Sequence, residues 1–171
     1  MTETSNSAVD LPCGADKPIG TSSYHQKMLS ALEMAGMGEY DVWIMSEPCT
    51  IVPHNERLSL PAVNYDFPPK FTEENSAQEV FDIFVNRLVE WLEQLNYDTI
   101  YPYLPARHEN KFKAAVEKAN LDATTIFVPG ASYNPETDNY SGDMFKSADD
   151  ISQKLKVIHN WTTNQQKLPN L

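Results

Sequence analysis

The stretch LPCGADKPIGTSSYH, from Leu11 to His25, places a cysteine, a lysine, a serine and a histidine close together in the chain. A cysteine attacks as its thiolate, and a nearby cation such as Lys17 and a helix N-terminus both favour that form. Lys17 and His25 can each carry a proton, and Ser22 can donate a hydrogen bond. Together Cys13, Lys17, Ser22 and His25 suit nucleophilic attack on an electrophilic carbon followed by proton delivery. Taken alone, the same residues also fit a small buried hydrophobe, a solvated loop charge and a surface histidine in a first helical turn.

The elements around these residues follow from the pattern. Ala8 to Leu11 reads as a short buried strand, and Gly14, Pro18 and Gly20 then forbid regular structure. From Tyr24 the apolar residues recur at Met28, Leu32 and Ala35, the one-face spacing of an amphipathic helix. Ser22 stands where the N-cap belongs. A strand, a Gly/Pro loop and a helix start leave free backbone N–H groups that favour developing negative charge. In α/β proteins such loops lie at the carboxyl ends of strands, the usual ligand-binding edge.

Strand and helix signals alternate through the rest of the chain. Asp41 to Met45 reads as a strand, followed by a long proline-rich connection from Ser46 to Phe71. Gln78 to Leu95 carries a broad apolar stripe that includes Phe84, Leu88 and Leu92, the strongest helix signal present. Thr99 to Leu104 gives a strand, Arg107 to Ala119 a helix with Phe112, Val116 and Ala119 inward, and Thr124 to Val128 another strand. Gly130 to Gly142 reads as a polar loop. Ser147 with Asp150 has the spacing of a capping box and opens a last helix through Ile151, Leu155 and Ile158. This order predicts an α/β fold, a three-layer arrangement with a mostly parallel sheet and helices on both faces. One domain over residues 1–171 is expected, with 1–7 and 160–171 fraying at the ends.

Composition narrows the function. A chain of 171 residues with 41% hydrophobic content suits one compact core. No apolar run reaches transmembrane length and the N-terminal MTETSNSAVD carries no export pattern, so no membrane association and a cytoplasmic location are expected. Cys13 and Cys49 are accordingly expected as free thiols. The balance of 13 Lys plus Arg against 24 Asp plus Glu, a net charge of −11, suits poorly a chain that grips a phosphate backbone alone. The spacings of Cys13, His25, Cys49 and His54 lack the short paired knuckles of a zinc site, so no metal is expected.

Pro12, Cys13, Lys17, Pro18, Ser22 and His25 match the PC-x3-KPY-x2-S-x2-H signature of archaeosine synthases, with Ile19 in place of the signature tyrosine. A second segment, MSEPCTIVPHNERLSLPAVNYDFP, also resembles that family through Ser46, Pro48, Val52, Pro53, Glu56, Pro61, Tyr65 and Asp66. Two motifs in the right order are far more specific than one. The resemblance implies a short stand-alone core of an enzyme that adds an amine donor, lysine in the family, to the nitrile of 7-cyano-7-deazaguanine in tRNA. It implies Cys13, Lys17, Ser22 and His25 as catalytic residues, and no cofactor. Pro12, Pro18, Glu47, Tyr65 and Asp66 fall near the implied base pocket, the carboxylates suited to N–H donors of a guanine-like base and the tyrosine to stacking. A separate RNA-binding or transglycosylase-like subunit is implied as partner. Two alternatives stay open, a non-catalytic deazaguanine-binding or assembly subunit, and modification of DNA or the free base. Covalent addition of Cys13 and direct attack by the donor amine are both compatible with the motif.

Overall fold

The computed structural model describes residues 6–13, 21–46, 49–59, 77–134, 139–142 and 146–166. In chain order the elements are β1 (Ser7–Pro12), α1 (Ser23–Met34), β2 (Asp41–Ser46), β3 (Thr50–Pro53), α2 (Ala77–Gln94), β4 (Thr99–Pro105), α3 (Ala106–Lys118), β5 (Thr124–Thr125), β6 (Val128–Asn134), β7 (Asn139–Gly142) and α4 (Ala148–Gln166). A 3-10 turn, His54–Glu56, follows β3.

The strands form one sheet in the order β3-β2-β1-β4-β6-β7, with β5 also paired to β4. β1 runs parallel to β2 on one side and to β4 on the other, and β6 is parallel to β4. Antiparallel β3 and β7 finish the two edges. The fold is the expected α/β class with a mostly parallel sheet.

Side-chain alternation along β1 separates two cores. Val9 and Leu11 pack with Met28, Leu32, Tyr101, Ile151 and Leu155, which places α1 and α4 on one face. Ala8 packs with Phe84, Leu88, Ile100, Phe112 and Ala115, which places α2 and α3 on the other. Every residue of β1 is buried, as expected of a central parallel strand covered on both sides. α1 ends where Gly36 takes a φ of +81°, a left-handed conformation that glycine adopts without penalty.

Three local readings are corrected. Gly130 to Gly142, expected as a polar loop, holds β6 and β7, paired antiparallel from Ala131↔Gly142 to Asn134↔Asn139. The expected strand at Thr124 to Val128 is interrupted, with β5 meeting the start of β4 and β6 its end. The long connection after Ser46 contains β3, which pairs back on β2. The capping box is present: Ser147 Oγ accepts from the Asp150 backbone N–H at 3.2 Å and donates to its carboxylate at 2.7 Å. α4 continues past His159 to Gln166.

Candidate active site at the carboxyl edge of the sheet

The parallel strands β1, β2 and β4 end together, and α1 and α3 begin at that same edge. Cys13 is the first residue beyond β1. Its backbone N–H donates to the Met45 carbonyl at 2.9 Å, which keeps it in line with the sheet. The Cys13 side chain is half-buried beside Ile44 and Val52, where Cys49 also packs. Neither cysteine forms a disulfide, as expected.

Three motif residues form a clip that fixes this position. Ser22 caps α1 and its hydroxyl oxygen accepts from the His25 backbone N–H at 3.3 Å. The same hydroxyl lies 2.9 Å from His25 Nδ1, and His25 Nε2 lies 2.9 Å from the Pro12 carbonyl. A carbonyl only accepts, so Nε2 carries the proton and Nδ1 accepts from the serine hydroxyl. The histidine is 1% exposed and both ring nitrogens are engaged within the fold. It ties the first turn of α1 to the residue before Cys13, and neither nitrogen is left to ligate a metal or shuttle a proton. The first turn of α1 contains no acidic residue, so the positive end of its dipole is not neutralised from within the helix.

The opposite face of the sheet contributes titratable groups that sequence reasoning missed. Asp10 shares the α2–α3 side with Ala8 by alternation and is fully buried. Its two carboxylate oxygens have no hydrogen-bond partner among the described residues. Burial pushes its carboxyl well above the usual range, an effect the Met45 backbone amide only partly offsets. His108 and Lys111 lie on the inward face of α3 with Phe112 and Ala115. Burial, with Arg107 adding to it, pushes His108 down to about 4. Lys111 is 5% exposed, with its ammonium 4.9 Å from the Phe84 ring centroid. Burial pushes it down to about 8, and the charge of Cys13 acts in the opposite direction.

Thr50, where β3 begins at this edge, has a φ of +71°. For a β-branched residue this is a strained conformation costing roughly 1–3 kcal/mol, of the kind concentrated at functional sites. Its hydroxyl is buried without a partner among the described residues. Lys17, Pro18, Glu47, Tyr65 and Asp66 lie outside the described residues.

Residues 1–141 match the family described as Domain of unknown function (DUF5591). The chain belongs to the DUF5591 family. Within it, the likeness to archaeosine synthases carried by the two motifs holds over nearly the whole chain. An archaeosine synthase of Methanocaldococcus jannaschii is 30% identical over 91% of this chain. The archaeosine synthase subunit alpha of Methanosarcina acetivorans is 29% identical over 71%. This DUF5591 chain spans 27% of the length of the first and 19% of the second. A crystal structure of AF0587, described as a protein of unknown function, shares the fold with a TM-score of 0.57 at 17% identity, over 90% of this chain and 44% of that one. Among the described residues, no helix is long and apolar enough to cross a membrane.

Proposed function

We propose that this DUF5591 chain acts in archaeosine formation, adding an amine donor to the nitrile of 7-cyano-7-deazaguanine, carried in tRNA, to give an amidine. The observation that carries the reading is the placement of Cys13. The Pro12, Ser22 and His25 of the motif are spent on holding the end of β1 against the start of α1, and Cys13 follows directly on that junction, half-buried beside Ile44 and Val52. Such a division of roles within one motif fits a nucleophile and its support.

A nitrile carbon is a modest electrophile, so addition needs an activated nucleophile and a donor for the charge that builds on nitrogen. In the proposed route the Cys13 thiolate adds to the carbon to form a thioimidate, and the donor amine then displaces the sulfur. Lys17 supplies positive charge and the proton for the nitrile nitrogen. Glu47 and Asp66 accept N–H groups of the base, Tyr65 stacks on its ring, and Pro12 and Pro18 border it. With both ring nitrogens engaged, His25 positions rather than transfers protons. The net charge of −11 supports a division of labour in which a separate RNA-binding or transglycosylase-like subunit or domain holds the tRNA.

The test is to incubate the protein with 7-cyano-7-deazaguanine, as free base and in tRNA, with lysine and other amine donors, and to read products by mass. Amidine formation that disappears in Cys13→Ala supports the proposal. No mass change with any substrate, under conditions where a full-length relative works, contradicts it and leaves a binding or assembly role. Turnover of the free base alone would move the substrate away from tRNA.

A further inference from the structure

We infer that Thr50, at the start of β3, is the hydrogen-bond donor that receives the nitrile nitrogen of the substrate as Cys13 adds to the carbon. The inference rests on the Cys13 reading above and names the group that holds the other end of the same bond.

The sheet register sets Cys13 and Thr50 in one row. Pro12 pairs with Met45, and the Cys13 N–H donates to the Met45 carbonyl at 2.9 Å, which continues the parallel ladder by one residue and sets Cys13 beside Ser46. Ser46 in turn pairs with Thr50 across the antiparallel β2–β3 ladder. Residues paired across strands share a face, here the one on which Cys13 packs beside Ile44 and Val52, themselves a pair two residues deeper in the sheet. Cys13, Ser46 and Thr50 thus cross the carboxyl edge over two strand spacings, about 10 Å between the outer backbones. A reacting carbon about 3–3.5 Å from the sulfur, with its nitrogen about 2.9 Å from a hydroxyl oxygen, fits within that span. Ser46, fully buried, is the floor between the two ends.

Two features of Thr50 cost the fold and gain it nothing. Its φ of +71° is one that glycine takes without strain and a β-branched residue does not. Its side chain is 1% exposed, yet the hydroxyl has no hydrogen-bond partner among the described residues. A valine would fill the same volume without an orphaned donor. A hydroxyl kept under both costs is accounted for by an acceptor that arrives with the substrate, and the stiff β-branched side chain holds it ready. Cys13 is the part-exposed end of the row and Thr50 the closed end, so a nitrile entering past the thiol meets the hydroxyl last. As the C–S bond forms, one C–N π bond opens and its electron pair moves to nitrogen. One lone pair there takes the proton from Lys17 and the other accepts the Thr50 hydrogen bond, the hydroxyl keeping its own proton. The donor amine then adds and returns a proton to Lys17, and the thiolate departs with its electron pair.

The hydrogen bond is testable apart from the covalent step. The infrared C≡N stretch of 7-cyano-7-deazaguanine, as free base and in tRNA, is recorded bound to the Cys13→Ala chain, where no thiol consumes the nitrile. Hydrogen bonding to a nitrile nitrogen raises this frequency, so the band is expected higher in Cys13→Ala than in Cys13→Ala with Thr50→Val, and Thr50→Ser in place of valine is expected to recover the shift. Thr50→Gly, which suits the left-handed backbone, removes the hydroxyl in a second way should the valine chain not fold. A band unmoved by loss of the hydroxyl overturns the inference even if amidine still forms. In the chain with Cys13 intact, Thr50→Val or Thr50→Gly is expected to slow amidine formation about 100-fold, the scale of losing one donor to a developing charge. Wild-type turnover in either variant overturns the donor role and leaves the Cys13 reading standing. No bound nitrile signal in any variant overturns both. Loss of turnover in Cys13→Ala is the separate test of the Cys13 reading.

Discussion

At the residue scale the Ser22–His25–Pro12 clip explains half of the signature in purely structural terms. Ser22→Ala removes the N-cap acceptor and the partner of Nδ1 together, and is expected to cost about 1 kcal/mol, read from urea denaturation. Asp10 works against folding. Its carboxyl is pushed up in the folded chain, so above its ordinary 3.8 the unfolded chain ionises while the folded one resists, and stability falls as pH rises. Asp10→Asn is therefore expected to raise the urea midpoint at pH 7, with the gain disappearing below pH 4. His108 acts in the opposite sense. Held at about 4 against 6.5 when unfolded, it resists a proton that the unfolded chain accepts, so stability drops as pH falls through that window, by up to roughly 3 kcal/mol. His108→Gln is expected to flatten that acid slope in the same denaturation series.

At this scale much of the site was legible, and what was missed had a signal. Cys13, Ser22 and His25 stood out by type and spacing, and the structure brings them together. Lys111 falls three residues after His108 and four before Ala115, inside the apolar stripe marked by Phe112. Asp10 sat in plain view within a strand read as buried. A charge on a face that must be covered is itself the anomaly.

At the element scale the central strands and helices were readable because each buries a full face or stripe, and the period of that pattern survives in the sequence. The β6–β7 hairpin was not. Its residues are polar and glycine-rich, and its pairing is set by β4 beside it rather than by its own pattern. α3 begins at the carboxyl edge and carries His108 and Lys111 on its buried face. It is anchored by Phe112, which is fully buried and meets Phe127 edge-to-face at 6.0 Å between centroids. Phe112→Ala is expected to cost about 3–5 kcal/mol in denaturant unfolding.

At the scale of the whole molecule the topology gathers what the sequence scatters. Cys13, Ser22, His25 and Thr50 stand at the end of β1 and the starts of α1 and β3, and the strand order delivers them to one edge. The net charge of −11 suits poorly a chain that grips RNA alone. The central claim is that Cys13 forms a covalent bond to the nitrile carbon. It is tested most directly by intact-protein mass spectrometry after mixing with 7-cyano-7-deazaguanine, as base and in tRNA, with no amine donor present. The account predicts a mass gain of one substrate molecule that persists in Cys49→Ser, vanishes in Cys13→Ala, and is discharged as amidine when amine is added. No adduct, or an adduct that survives in Cys13→Ala, would contradict it.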